Sequence, residues 1–138
     1  MAKHVLTDVL VSVNGTDLSN HVQSVTYESG IEGVPANSMT DTQKYEMPGL
    51  ITITDPQITY FQDYAASQVY VTHQALITNR STFTLIVKPT SAADSATNPT
   101  FTCSAFVKKH PFVNGAHGAA YMAQVTYDVA GALTIDVT

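Results

Sequence analysis

Apolar and polar residues alternate along most of this chain, and a period of two is the mark of strands with one buried face. Val9, Val11 and Val13 fall on one side, Leu10 and Ser12 on the other. Val25 and Tyr27 alternate with Ser24, Thr26 and Glu28. Ile51 and Ile53 alternate with Thr52 and Thr54, until Pro56 breaks the run ahead of Ile58 and Tyr60. Phe83, Leu85 and Val87 alternate with Thr82, Thr84 and Ile86, and Phe101, Cys103, Ala105 and Val107 with Thr102 and Ser104. The stretch Tyr121, Ala123, Val125, Tyr127, Val129 is interleaved with Met122, Gln124, Thr126 and Asp128; Leu133, Ile135 and Val137 are interleaved with Thr134 and Asp136. This makes about seven strands. Asn14-Gly15 predicts a type I′ turn, because both central residues of that turn need positive φ. A second turn is expected near Asn114-Gly115.

One segment changes period. Ala66, Val69, Tyr70, His73 and Ile77 recur at helical spacing, which predicts an amphipathic helix over about 64–77. Asp63 is the candidate N-cap and Asn79 the candidate left-handed residue after the helix. The expected fold is therefore mainly β: an antiparallel sandwich or barrel of about seven strands with one flanking α-helix. At roughly 150 residues per domain, residues 1–138 form one domain. Residues 30–48 and 89–99 show no strand period and exceed a hairpin turn. Loops beyond about 12–15 residues in a compact domain are usually functional or disordered. The first carries Ile31, Val34, Met39, Tyr45 and Met47, and apolar side chains on a loop predict a contact with another subunit.

The polar faces are hydroxylated rather than charged. The chain has 19 Thr and 10 Ser, while charged residues make up 12%, against about 25% in an ordinary soluble domain. The net charge is −5 and the only adjacent basic pair is Lys108-Lys109, which argues against a nucleic-acid binder, whose affinity comes from neutralising phosphates. No apolar run approaches the ~20 residues of a membrane helix. Met1–His4 leads directly into strand-like sequence, so no secretory leader is expected. The single Cys103 excludes an internal disulfide and a Cys-based zinc site, and its place on an apolar strand face predicts a buried thiol.

Catalytic chemistry has no foothold. There is no Gly-x-Ser-x-Gly elbow, no His-Glu-x-x-His and no phosphate-cradling glycine loop. Among His4, His21, His73, His110 and His117, only the last two are close in sequence, and no carboxylate joins them at ligand spacing. They are expected on a solvated loop, and His73 is expected to be packed rather than a base. Asn14-Gly15-Thr16 and Asn79-Arg80-Ser81 match the glycosylation sequon by chance. No enzyme activity, metal or cofactor is expected.

Several segments carry a family resemblance. Thr7-Asp8, Asn14-Gly15, Asp17-Leu18-Ser19, His21-Val22 and Ser24-Val25-Thr26 resemble the start of small tail tube (major tail) proteins of long-tailed bacteriophages, especially those infecting actinobacteria. Pro48-Gly49-Leu50, Phe61 to Ala66, Val87 to Ala92 and Ala96 to Pro99 extend the likeness over most of residues 3–107, while 110–121 departs from it. The resemblance implies a virion structural protein, made in the host cytoplasm, whose hexameric rings stack into a tube for genome passage. It implies partners at the tape measure, terminator and baseplate, a long loop reaching the neighbouring ring, and DNA passing without specific binding or any membrane. Gln124, Thr126 and Asp128 are the candidate lumen-facing residues, since a hydroxyl- and amide-rich wall with few cations does not grip phosphate. The competing reading is a capsid decoration or host-surface-binding β-sandwich, which shares the strands but needs no apolar loop at 30–48.

Overall fold

The computed structural model describes residues 5–138, so the expectation drawn from Met1–His4 lies outside the described residues. Eight strands form: β1 (Leu10–Val13), β2 (Thr16–Asp17), β3 (Val22–Pro35), β4 (Glu46–Phe61), β5 (Phe83–Lys88), β6 (Thr100–Lys109), β7 (Met122–Val129) and β8 (Thr134–Asp136). One helix, α1 (Val69–Thr78), lies between β4 and β5. The strands make a single antiparallel sheet in the order β2-β1-β5-β6-β7-β4-β3, with β8 pairing onto β6. The strand missing from the sequence expectation is β2, whose two residues are too short to show a period.

The sheet rolls so that its apolar faces converge. Val11, Val13, Leu85, Ala105, Val125, Ile58 and Tyr60, from five different strands, are all fully buried in one cluster. β3 and β6 are not neighbours in the sheet, yet the Tyr27 hydroxyl of β3 donates to the Cys103 Sγ of β6 at 2.9 Å. The Tyr27 ring also meets Phe101 edge-on at 6.3 Å. Burial raises the pKa of Cys103, so its thiol is protonated and unreactive.

Local signals hold with adjustments. Asn14 and Gly15 both take positive φ, 51° and 80°, and close the β1–β2 hairpin. The helix starts later than expected. Asp63 does not cap it; its carboxylate accepts from the Ala65 backbone amide at 2.9 Å and ties to His21 at 3.0 Å, turning the chain ahead of the helix. Those hydrogen bonds hold the Asp63 pKa below its usual value. Asn79 keeps a helical φ of −83°, and the left-handed residue is Arg80 at 52°. The later turn forms at Gly118, with φ of 82°, rather than at Asn114-Gly115. Residues 89–99 are an ordered loop folded around Asn98, whose side-chain amide donates to the carbonyls of Ala92 and Ala93 and accepts from the Thr90 amide.

The largest correction concerns 30–48. Both ends of that span are strand: β3 runs to Pro35, β4 begins at Glu46, and the loop is confined to 36–45. Gly30, Gly33, Pro35, Pro48 and Gly49 suggest a loop, but a two-stranded ribbon tolerates proline on a free edge and glycine at a bulge. A register shift between Ile31 and Gly33 marks that bulge.

Helix α1 is anchored in the core by a buried polar chain. His73 Nδ1 lies 2.7 Å from the Val69 carbonyl, which can only accept, so Nδ1 carries the proton. Nε2 then accepts from the Tyr127 hydroxyl at 2.5 Å, and the Tyr127 oxygen accepts from Tyr60 at 2.8 Å. Every hydroxyl and ring nitrogen of His73, Tyr127 and Tyr60 is satisfied, whereas both ring nitrogens of buried His110 have no hydrogen-bond partner among the described residues. His110, expected on a solvated loop, instead stacks on His73 with ring centres 5.2 Å apart.

Burial pushes the His73 pKa down to about 4, and that of His110 down as well. The unfolded chain therefore takes up these protons first, and stability falls as pH drops below the usual histidine value of about 6.5. Between pH 6.5 and 5, above the carboxylate range, His73 alone should cost about 2 kcal/mol. Urea unfolding at pH 7, 6 and 5 measures this, and a flat profile would contradict the neutral buried pair.

Candidate assembly surfaces

Two surfaces stand out once the core is set aside. The first is the convex face of the sheet, opposite the buried one. Gln124, Thr126 and Asp128 alternate with buried Ala123, Val125 and Tyr127, so all three point outward from β7. In register they sit beside Thr59, Gln57 and Phe106, and Thr126 also has exposed Lys109 on its other side. Thr26 of β3 pairs with Gln57 on the far side, and Ser104 and Thr84 extend the hydroxyl band across β6 and β5. The Gln124 amide donates to the Gln57 amide oxygen at 3.2 Å. Lys108, a cation on this face, is held 2.9 Å from Asp55, which raises its pKa and neutralises it locally. The structure thus brings the three sequence-predicted β7 residues together on one polar, weakly charged surface.

The second surface is the projecting half of the β3–β4 hairpin. Ile31 and Val34 lie on β3, Met47 on β4, and Met39 and Tyr45 on the connecting loop. All five are exposed, Met39 completely. The loop is nevertheless built: the Asn37 side chain donates to the Gln43 carbonyl and accepts from the Tyr45 amide, and Asp41 accepts from the Ser38 amide. Leu50 and Ile51, not singled out from the sequence, are exposed at 75% and 77%. Ile51 shares the strand alternation of Ile53, which made both look buried. The signal against that was Leu50-Ile51 itself, since adjacent apolar residues occupy both faces of a strand. β4 pairs with β7 only over Gln57–Phe61, so its second edge is unpaired over 46–56. Exposed apolar strands with open edges invite pairing with another chain.

Among the described residues no group of His, Cys, Asp and Glu could hold a metal ion, and no helix is long and apolar enough to cross a membrane. His117 is exposed, well separated in character from the buried His110.

No protein-family model and no curated protein matches the sequence. Solved structures do match, along nearly the whole chain. A structure of the SPP1 tail tube matches with a TM-score of 0.71 at 14% identity, over 95% of this chain and 77% of that one. The chain has a tail-tube fold. The same fold recurs in the sheath/tube terminator of the PVC extracellular contractile injection system, at a TM-score of 0.72 and 12% identity over 99% of this chain and 98% of that one. It recurs in the virion of a native gene transfer agent particle, at 0.66 and 12% identity over 93% and 95%. Identities this low carry the tail-tube fold alone.

Within this tail-tube fold the residues of the projecting hairpin lie outside the buried core cluster. Replacing Ile31–Ile51 by a short Asn-Gly turn joining Gly30 to Thr52 should leave the urea midpoint close to that of the full chain. Unfolding of the shortened chain would place the hairpin in the core instead.

Proposed function

We propose that this chain is the structural subunit of a phage-like tail tube, closing into hexameric rings that stack around a channel for the genome. The likeness to the SPP1 tail tube, over 95% of this chain and 77% of that one, carries this reading. Two surfaces support it. An outward face of Thr, Ser and Gln, on which Lys108 is paired with Asp55 and Lys109 is exposed beside Thr126, suits a channel wall that holds DNA only weakly. Gln124, Thr126 and Asp128 face the lumen, and the net charge of −5 adds weak repulsion of phosphate. The hairpin that bears Ile31, Val34, Met39, Tyr45 and Met47 supplies the contact between subunits, because exposed apolar side chains with open strand edges gain most from burial. The subunit resides in the virion tail, next to the tape measure, terminator and baseplate, and performs no catalysis.

A second reading within the same fold is a tube terminator. The match to the PVC sheath/tube terminator and another to the anti-feeding prophage tube-terminating cap favour it. A terminator forms one ring and stops; a tube subunit stacks without limit.

Negative-stain microscopy with solution mass separates these outcomes. Long tubes are expected. Isolated rings at every concentration select the terminator, and a stable monomer removes both in favour of a capsid or surface module. In phage carrying Thr126→Lys and Asp128→Lys, DNA release is expected to slow at low salt and recover as salt screens the new cations. Normal release at low salt would overturn the lumen assignment.

A further inference from the structure

We propose that His110 is an acid-released latch: as a neutral ring it holds segment 110–121 against α1, and on taking up a proton it leaves with that segment while the sheet stays folded. The inference concerns the chain by itself and does not rest on the tube reading.

The latch is one side chain. Within 110–121 only His110 is buried; Pro111 is half-buried and 112–121 are exposed, Phe112 and Val113 at 63% and 78%. The His110 ring lies against two rings of α1. Its centre is 5.2 Å from that of His73, with the planes 21° apart, and 5.7 Å from that of Tyr70. The other ties between the segment and the turn ahead of α1 are exposed or long. The Tyr64 hydroxyl donates to the Phe112 carbonyl at 2.7 Å and accepts from the Tyr121 hydroxyl. The Gln62 backbone amide donates to the Tyr121 carbonyl at 2.9 Å, and the Gln62 side chain reaches the Pro111 carbonyl only at 3.5 Å. A segment with so little burial and such exposed hydrogen bonds opens locally at low cost.

The two stacked imidazoles differ in what a proton does to them. Both nitrogens of His73 are committed, one to the Val69 carbonyl and one to the Tyr127 hydroxyl, so His73 gains a proton only when the core chain breaks. Both nitrogens of His110 are buried without a partner among the described residues. The neutral ring leaves one donor orphaned. An imidazolium would place two donors and a charge in a site that solvates none of them.

The groups around the ring offer no counterion. From α1 come Tyr70 and neutral His73, and behind His73 stand Tyr127 of β7 and Tyr60 of β4, phenols whose pKa burial raises further. On the strand that leads to His110, Lys109 is a cation and Lys108 is paired with Asp55. Asp128 is on the outward face of β7, and Asp63 is tied to His21 and the Ala65 amide. Burial accordingly lowers the His110 pKa in the closed form. Opening gives both nitrogens to water and returns the ring to the ordinary value of about 6.5. The open form therefore binds the extra proton, and its share rises as pH falls through that value.

The Gln62 amide reports the latch, because the carbonyl it donates to belongs to the segment. Its hydrogen exchange, followed by NMR and corrected for the intrinsic rate at each pH, should show an opening equilibrium that rises by up to about tenfold between pH 7.5 and 5.5. At both pH values Gln62 should open more readily than the β7 amides of Ala123 and Val125, which mark the folded sheet. The His110 ring protons of the wild-type chain should titrate over the same range as the Gln62 rise. His110→Phe keeps a ring in the stack but cannot take up a proton, and should leave Gln62 closed at both pH values. A flat Gln62 profile, opening shared equally by Ala123 and Val125, or a His110 titration that does not track Gln62 would overturn the latch. So would a rise that persists in His110→Phe; if that variant does not fold, the wild-type titration decides alone.

Discussion

A sheet with one apolar face must cover that face, and this chain does so by rolling the sheet onto itself and packing one face of a single helix against it. The rest of the structure depends on that closure. It needs something to fill the space between opposed strands, and α1 fills it with Val69, His73 and Leu76, all buried. His73 is the unusual choice. A leucine would pack there, but the imidazole also satisfies Tyr127, which satisfies Tyr60 in turn. Two large aromatic side chains can then be fully buried without an orphaned hydroxyl. The chain of hydrogen bonds links α1, β7 and β4, the elements on which both exterior surfaces are mounted.

Closure inward leaves two kinds of exterior, and they differ in what they ask of a neighbour. The convex face of β7, β4 and β3 is wet and close to neutral, so it attracts neither a protein core nor a polyanion. The hairpin is the opposite: apolar on both faces, open at both edges and held in shape by its own loop hydrogen bonds. A free chain that exposed such a ribbon would risk uncontrolled pairing. Preorganisation of the loop through Asn37 and Asp41 lowers the ordering cost of a specific contact.

Strand content and strand polarity were legible residue by residue, because the pleat maps alternation directly onto faces. Gln124, Thr126 and Asp128 were placed on the outward face that way, and the structure agrees. The hairpin's apolar residues were legible as exposed, but its backbone was not. Gly30, Gly33, Pro35 and Pro48 are loop formers locally, and only cross-strand pairing between 22–35 and 46–61 makes them strand. His110 failed for a related reason. It follows a strand end and precedes proline, a loop position by every local rule, yet folding of 110–121 puts its ring against His73.

Composition and period by themselves determined a β chain with one helix, a buried thiol and hydroxylated outer faces that carry few charges. Those properties follow from side chains read two at a time along one strand. Tertiary structure decided that the strands form one rolled sheet, that the helix packs one face against it, and that Ile51 faces out of the core while His110 faces into it. Such facts depend on which distant segments pair and how far each ladder extends. No local pattern encodes where β7 stops pairing with β4, and the edge of β4 is open over 46–56 because it stops at Gln57.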